Sequence, residues 1–443
     1  MYYAQELFTQ NYLQSRYSFD IKDENLRGQL DAIADFQAKD GSFSVLDDPH
    51  MPSDAFVDFH IYPTVMCSAI LMKAVLLYPE ECSCYLPVLA KALGRVSETG
   101  IGGDGYDYLD CQMEYLSIYI DAGLLSFIYK YGDLQPSFTE TIFEIRHSYE
   151  RFIETGSFIH GFGQDYEQKI RDMYSLLMHH RIFVYGTLMT GECNNSYVST
   201  QIFNGQGIIR GFNLFNLGRF PGIRHSKHIE RIVNGEVFSV DAEALESINE
   251  LEGEGHLYNL EFAEVNLEGR NIVAGVYVYN SKIRKDRRIF SGDWRLPSIY
   301  VAYGSNMNIN QMKSRCPRAR ILGNSMLDGY SLLFKANRRG RVVATVEENA
   351  EEKVPIVLWA IDNGSERSLD GYEGYHGNDP NSSSYLKKTV DVEFRGEKVS
   401  GIIYVMSPGG HVGKPEYEYY NRILRGYLSN GIDPEVLIKA VER

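Results

Sequence analysis

Two glutamates in this chain, Glu252 and Glu373, are each followed by glycine and preceded at a similar distance by a Tyr-Gly dipeptide. Tyr185 lies 67 residues before Glu252, and Tyr303 lies 70 residues before Glu373. A carboxylate whose pKa lies near the working pH can act as both a base and an acid. Two such pairs in tandem predict a duplicated domain with one loop-and-carboxylate site in each copy.

Each site is predicted to combine a turn after a buried strand with the end of a short helix. Residues 181–185 are mostly apolar and β-rich, which predicts a strand, and the Tyr-Gly-Thr sequence that follows predicts a sharp turn. Backbone N–H groups beside a hydroxyl in such a turn can hold a carboxylate or an oxyanion. Helices are predicted over residues 243–253 and 365–374, with Gly253 and Gly374 as C-caps. A helix C-terminus disfavours negative charge, so each glutamate is expected to have a raised pKa.

Further residues make both copies resemble the γ-glutamylcyclotransferase superfamily, which includes the γ-glutamylamine cyclotransferases and the avirulence-induced-gene-like proteins. In the second copy the resemblance rests on Ser-Arg-Cys-Pro at 314–317, Leu-Asp-Gly-Tyr at 327–330, Ala-Thr-Val at 344–346, Val-Leu-Trp-Ala at 357–360 and the segment 385–392. The first copy is closer to the γ-glutamylamine cyclotransferase branch, through residues 191–194, 233–238 and 292–294. Together the copies cover about residues 180–410.

The resemblance implies a small mixed β-barrel with short helices and an intramolecular aminolysis. The α-amine of a γ-glutamyl group attacks its own γ-carbonyl and releases 5-oxoproline and a free amine, without metal, other cofactor or covalent enzyme intermediate. Glu252 and Glu373 are expected to be the catalytic acid/base residues. The expected substrate-binding residues are Tyr185, Gly186, Thr187, Leu188 and Tyr258 in the first copy, and Tyr303, Gly304, Ser305, Asn306 and Tyr385 in the second. Residues 258–261 of the first copy depart from the Tyr-x-Arg/Lys pattern that is usual in the family.

Composition predicts a multidomain globular protein. The chain has 443 residues, of which 44% are hydrophobic and 23% charged, and its net charge of −15 argues against nucleic acid or an anionic membrane as a partner. The basic cluster formed by Lys335, Arg338, Arg339 and Arg341 is interpreted either as a solvated strand edge or as a patch that steers an acidic substrate. The chain shows no signal peptide pattern and no long apolar run, so a cytoplasmic protein with reduced cysteines is expected.

The residues before the first copy are predicted to be all-helical. Helical periodicity covers Leu26–Ala38, Ile61–Leu77, Leu86–Val96, Cys111–Tyr131, Thr139–Glu154 and Tyr166–Leu177. The segment 37–43 is similar to the Asp-Gly-Ser-aromatic turns of α/α-toroid proteins, which implies a partial toroid. The acidic aromatic run 104–110 is interpreted as a polar loop or as the lining of a pocket.

The predicted domains are therefore 1–178 (all-α), 179–296 (first barrel) and 297–443 (second barrel with a C-terminal helix). Two functions remain open. The protein is either a cyclotransferase that acts on γ-glutamyl amines or amides, in both barrels or in the second barrel alone, or a non-catalytic γ-glutamyl-ligand binding protein. In the second case the helical domain is a scaffold that recruits a protein partner.

Overall fold

The computed structural model describes residues 19, 21–43, 58–102, 108–155, 164–284, 287–377 and 379–443. It divides the chain into two compact units. The first unit comprises Met1–Phe212 and Gly222–Ser281, and the second comprises Asn213–Pro221 and Lys282–Arg443. The helical region and most of the first copy therefore belong to one unit, and the second copy belongs to the other. The domain boundaries at 178 and 296 stay a prediction.

The N-terminal region is helical, as predicted. Its helices are α1 (Glu24–Asp35), α2 (Asp58–Leu77), α3 (Pro79–Cys82), α4 (Leu86–Thr99), α5 (Tyr108–Asp121), α6 (Leu124–Tyr131), α7 (Pro136–Thr155) and α8 (Gln164–Met178). Helix α2 is buried along almost all of its length from Ile61 to Leu76, and it packs against α4, α5 and α6. A helix that is apolar on every side forms the centre of a core. None of the described helices is long and apolar enough to cross a membrane.

The structure corrects one predicted helix. The periodicity predicted a single helix over Cys111–Tyr131, but α5 ends at Asp121 and α6 begins at Leu124. Gly123 between them has a φ of 95°, in the left-handed region that favours glycine. A Cβ atom at this position would lie 2.8 Å from Leu76 Cδ1 and 3.0 Å from Val273 Cγ1. The helix therefore breaks where α2 and the first barrel approach the backbone closely.

Some predicted features lie outside the described residues. They are residues 104–107, which are most of the acidic aromatic run 104–110. The partial toroid stays a prediction.

The first copy forms a closed five-stranded barrel. Its strands are β1 (His180–Val184), β2 (Ile202–Arg210), β5 (Ile232–Val240), β6 (Tyr258–Leu267) and β7 (Arg270–Tyr279), in the order β1-β5-β2-β6-β7. Strands β1 and β7 close the barrel in parallel, with Ile182 opposite Gly275. Strands β3 (Phe212–Asn216) and β4 (Pro221–His225) precede β5, and the short β8 (Arg288–Ile289) pairs with β3 through Leu214 and Phe215.

The second copy repeats this strand order in a five-stranded sheet. Its strands are β9 (Ser298–Ala302), β10 (Arg320–Ala336), β11 (Val342–Ile361), β12 (Tyr385–Phe394) and β13 (Glu397–Met406), in the order β10-β11-β9-β13-β12. The sheet is mixed, because β13 and β9 pair in parallel. Ser325 Oγ on β10 donates a hydrogen bond to the Glu393 carbonyl on β12, so side chains join the two edge strands in place of a backbone ladder. Helix α10 (Ile309–Arg315) follows β9, and helices α12 (Tyr417–Ser429) and α13 (Glu435–Glu442) follow β13.

Ion pairs join the helical region to the outside of the first barrel, within the first unit. Lys73 on α2 pairs with Glu264 on β6, and their side chains are only 1% and 12% exposed. Asp121 at the end of α5 accepts hydrogen bonds from Arg181 Nη1 (2.9 Å) and Arg270 Nε (2.6 Å). Since the helical core also includes Val273 of β7, the helices cover one face of the barrel.

Candidate active sites

Glu252 and Glu373 each end a helix of 11 residues, α9 (Ala242–Glu252) and α11 (Asn363–Glu373). Both helices begin after an aspartate whose carboxylate accepts an N–H bond from the third helical residue. Both end at a glycine in the left-handed conformation, Gly253 with φ 59° and Gly374 with φ 63°. The local sequence therefore places each carboxylate at a defined helix end, as the sequence predicted.

The two Tyr-Gly loops form the same turn. Met189 N–H donates to the Gly186 carbonyl, and Met307 N–H donates to the Gly304 carbonyl, both at 3.0 Å. The two intervening N–H groups, those of Thr187 and Leu188 in the first copy and of Ser305 and Asn306 in the second, donate to no acceptor in the described part of the chain. Backbone N–H groups are rarely left unpaired, so each pair of donors is a candidate site for an anionic oxygen.

A repeated set of tyrosine contacts attaches each loop to the sheet of its own copy. The hydroxyl groups of Tyr185 and Tyr303 donate to the carbonyls of Tyr277 and Tyr404, both at 2.6 Å. These two strand tyrosines in turn donate their own hydroxyls to the helices that carry the glutamates, Tyr277 to Asn249 Oδ1 (2.7 Å) and Tyr404 to Asp370 Oδ1 (2.6 Å). Asn249 and Asp370 both lie three residues before the glutamate. Strand, loop and helix are thus connected in the same way in both copies.

In the second copy the Glu373 carboxylate has polar neighbours. Its Oε1 accepts a hydrogen bond from Asn306 Nδ2 (3.2 Å) and lies 3.8 Å from Arg315 Nη1, and its side chain is 16% exposed. Burial raises the pKa of Glu373, while the charge of Arg315 and the bond from Asn306 offset part of that rise. The carboxylate is therefore stabilised in its charged form more than burial alone would allow.

Asn306 is held by several side chains. Its Oδ1 accepts hydrogen bonds from Arg315 Nη1 (2.8 Å) and Gln311 Nε2 (3.1 Å), and its Nδ2 also donates to the Tyr300 hydroxyl (2.8 Å). Because both ends of the amide are bonded, its NH₂ group is fixed towards Glu373. The Arg315 guanidinium also lies over the Tyr372 ring, 4.5 Å from its centroid.

In the first copy Glu252 is in a different environment. Leu188 takes the place that Asn306 holds in the second loop, and the Glu252 carboxylate makes no hydrogen bond with any described residue. Burial raises the pKa of Glu252 to about 7. Burial, followed by the charge of Glu252, raises the pKa of both Tyr258 and Tyr277, so these tyrosines lie near the carboxylate.

Tyr258 and Tyr385 begin the strands that follow the two helices. Both are buried, and the Tyr385 hydroxyl donates to the Ala344 carbonyl (2.8 Å). Lys387, two residues further, pairs with Glu366 (2.8 Å) and Asp370 (2.7 Å) on α11. The corresponding residue of the first copy is Leu260, so this link between strand and helix exists only in the second copy.

Sequence reasoning missed four side chains that surround Glu373. Gln311 and Arg315 hold the Asn306 amide, and Glu373 raises the pKa of Tyr300 and Tyr419 after burial does. Arg315 lies in the Ser-Arg-Cys-Pro segment used for the resemblance, which was the available signal. Among the described residues no group of three or more His, Cys, Asp or Glu side chains is arranged to hold a metal ion.

The two-copy organisation of the chain agrees with a family model. The model of the family "Gamma-glutamyl cyclotransferase, AIG2-like" matches residues 182–296 and 300–422, so the chain belongs to this family and carries two tandem copies. A Vibrio cholerae protein, provisionally named a gamma-glutamylcyclotransferase, is 33% identical over 118 residues, which are 26% of this chain and 96% of its own length. The gamma-glutamylcyclotransferase family protein YtfP of Escherichia coli K12 is 30% identical over 114 residues, 26% of this chain and 95% of its own length.

Among solved structures, YkqA from Bacillus subtilis is 25% identical. The match covers 59% of this chain and 96% of YkqA, with a TM-score of 0.28.

Proposed function

We propose that this protein is a cyclotransferase that converts γ-glutamyl amines or amides into 5-oxoproline and a free amine, with one site in each copy. The observation that carries the proposal is the repeated geometry of the sites. In each copy a partly buried glutamate with a raised pKa ends a helix beside a loop with two N–H donors that have no acceptor among the described residues. An acid/base group and a pair of oxyanion donors are the two components that this reaction requires.

The glutamate acts as a proton shuttle. The carboxylate of Glu252 or Glu373 accepts a proton from the substrate α-amine as its nitrogen attacks the γ-carbonyl carbon. The same group then returns the proton to the leaving nitrogen as the γ-amide bond breaks. One C–N bond forms and one breaks, and no water or external oxidant is consumed. Since the nucleophile belongs to the substrate, holding it folded supplies much of the rate acceleration.

The loop stabilises the charge that develops on the γ-carbonyl oxygen. In the second copy the N–H groups of Ser305 and Asn306 are available for this role, and in the first copy those of Thr187 and Leu188. Fixed donors aimed at a developing oxyanion typically contribute ~10²–10³-fold to kcat. An added Cβ at Gly304 would lie 3.4 Å from Ala344 Cβ, in ordinary contact, so this glycine is not required by protein packing. Its lack of a side chain leaves the loop backbone accessible to a substrate.

The test is to incubate the full-length protein with a panel of γ-glutamyl amines and amides and to detect 5-oxoproline by mass spectrometry. We expect the E252Q/E373Q double variant to lose ~10²–10⁴-fold of the turnover, because glutamine cannot accept the proton. Glu254→Gln is the matched control, since Glu254 is an exposed glutamate two residues after Glu252, the last residue of α9. The turnover of this variant should be unchanged. No 5-oxoproline from any substrate, with binding retained, would instead support a γ-glutamyl-ligand binding protein.

A further inference from the structure

A cavity of about 330 Å³ lies within the first unit, between the helical region and the outside of the first barrel. Its walls are the end of α2, the segment at Phe19, the strands β2 and β6 and the loop after β4. Phe262, Glu264 and Asn266 are alternate residues of β6, so they share one face of the strand. Neither Glu252 nor Glu373 lines this cavity, which makes it separate from both candidate active sites.

One wall of the cavity is aromatic and held in place by polar contacts. Phe19 N–H donates to Glu264 Oε2 (2.9 Å), and the Phe19 carbonyl accepts a hydrogen bond from the Tyr78 hydroxyl (2.5 Å). The Lys73 ammonium lies 5.0 Å from the centre of the Phe19 ring. Phe19, Tyr78 and Phe262 therefore present a preorganised apolar surface, which lowers the entropic cost of binding a flat molecule.

The charged side chains in the described part of the cavity lining are mostly basic. Lys22, Arg210 and Lys227 line it, together with His225, which pairs with Glu261 at 2.7 Å. Among the described residues of the lining Glu264 is the one acidic side chain, and Lys73 neutralises it. Neither Arg210 nor Lys227 forms an ion pair with a described residue. In a chain with a net charge of −15, a cavity with this lining favours an anionic ligand.

We infer that this cavity binds a small organic anion, with a flat apolar body against Phe19, Tyr78 and Phe262 and a phosphate or carboxylate group between Arg210 and Lys227. Arginine and lysine are the usual partners of both anionic groups. The site is independent of the proposed cyclotransferase reaction. Because its walls come from the helices and from the barrel, an occupant would contact both parts of the first unit.

Isothermal titration calorimetry on the full-length chain tests this inference, with phenyl phosphate, benzoate and inorganic phosphate as probes. We expect one binding site per chain, and we expect phenyl phosphate or benzoate to bind at least about tenfold more tightly than inorganic phosphate, because the aromatic wall adds affinity. The tighter of the two aromatic probes identifies the anionic group. Equal affinity for all three probes, or no binding, would overturn the inference.

Two double variants separate this site from general charge effects. R210M/K227M should weaken binding of the tighter aromatic probe by about tenfold, because each lost charged contact contributes a few-fold. R339M/R341M removes two exposed arginines of the second unit that do not line the cavity, and its binding should be unchanged. Equal weakening in both double variants would show a non-specific effect of net charge and would contradict the proposed site.

Discussion

Glu252 and Glu373 occupy equivalent helix ends, yet their carboxylates have different electrostatic environments. Each is the last residue of an 11-residue helix that is capped by a left-handed glycine. Glu373 lies 3.8 Å from the Arg315 guanidinium and accepts a hydrogen bond from Asn306, whereas burial alone sets the pKa of Glu252. If both are the proton shuttles of their copies, the two copies should differ in how their activity depends on pH.

The first prediction concerns that pH dependence. The glutamate must be deprotonated to act as the base, so activity should rise as the pH increases through its pKa. In Glu373→Gln only the first copy can be active. The acid limb of its pH–rate profile, where activity rises with pH, should lie near pH 7, the pKa of Glu252. In Glu252→Gln the limb should lie at lower pH, because Arg315 and Asn306 offset part of the burial effect on Glu373. The acid limbs of the two variants are measured from the rate of 5-oxoproline release at pH values between roughly 5 and 9.

Both single variants are assayed with the same substrate, so ionisation of the substrate amine contributes equally to the two profiles. The difference between the two acid limbs then reflects the difference between the pKa values of Glu252 and Glu373. Coincident acid limbs in the two variants would contradict the assignment of the limbs to Glu252 and Glu373.

The second prediction concerns Arg315, assayed with the first copy silenced by Glu252→Gln. Arg315→Met removes the charge that lowers the pKa of Glu373, so the acid limb should move to higher pH. Turnover at its pH optimum should also fall, because the Asn306 amide loses one of its two Oδ1 donors.

Arg318→Met is the control for this change. Arg318 lies three residues further along the chain, is 77% exposed and pairs with Asp362 at 3.9 Å, away from Glu373. Its acid limb should stay in place. A fall in turnover for Arg315→Met with an unmoved limb would assign Arg315 a structural role only.

The helix ends and loops of both sites could be predicted from the sequence because local interactions determine them. An aspartate N-cap, a glycine C-cap and an apolar face define α9 and α11 without any distant contact. The similar spacing from the Tyr-Gly loop to the glutamate then showed that the two copies are related. The all-helical region was predictable for the same reason, since strong periodicity marks helices that pack in a core.

Features that depend on contacts distant in the sequence could not be predicted. Arg315 reaches Glu373 across 58 positions, and only the folded sheet brings them together. The break in the predicted helix at Gly123 arises because Leu76 and Val273 lie against its backbone. A helical period alone does not show that a distant strand will pack so closely.

The third prediction tests that break. Gly123→Ala should destabilise the protein by roughly 1–2 kcal/mol or more, because alanine disfavours a φ of 95° and its Cβ would clash with Leu76 and Val273. Gly132→Ala is the matched control. Gly132 has a φ of −56°, and its nearest neighbouring atom, Thr139 Oγ1, lies 3.6 Å from an added Cβ. Thermal melts followed by circular dichroism compare the two variants. Equal melting temperatures would mean that the close packing at Gly123 adds no constraint.

The fourth prediction concerns the buried pair between Lys73 and Glu264. Lys73→Met leaves the Glu264 carboxylate, 12% exposed, without its cation, and breaking such a pair typically costs ~3–5 kcal/mol. Adding Glu264→Gln should recover much of that loss, because glutamine is neutral and can still accept the N–H bond from Phe19.

The order of melting temperatures should therefore be the unmodified protein, then the double variant, then Lys73→Met. Lys439→Met serves as the exposed control, since Lys439 and Glu435 are 62% and 67% exposed and such pairs contribute ~0–1 kcal/mol. A double variant that melts below Lys73→Met would show that Glu264 stabilises the contact between helices and barrel without its lysine. The buried ion pair would then not be what joins these two parts of the first unit.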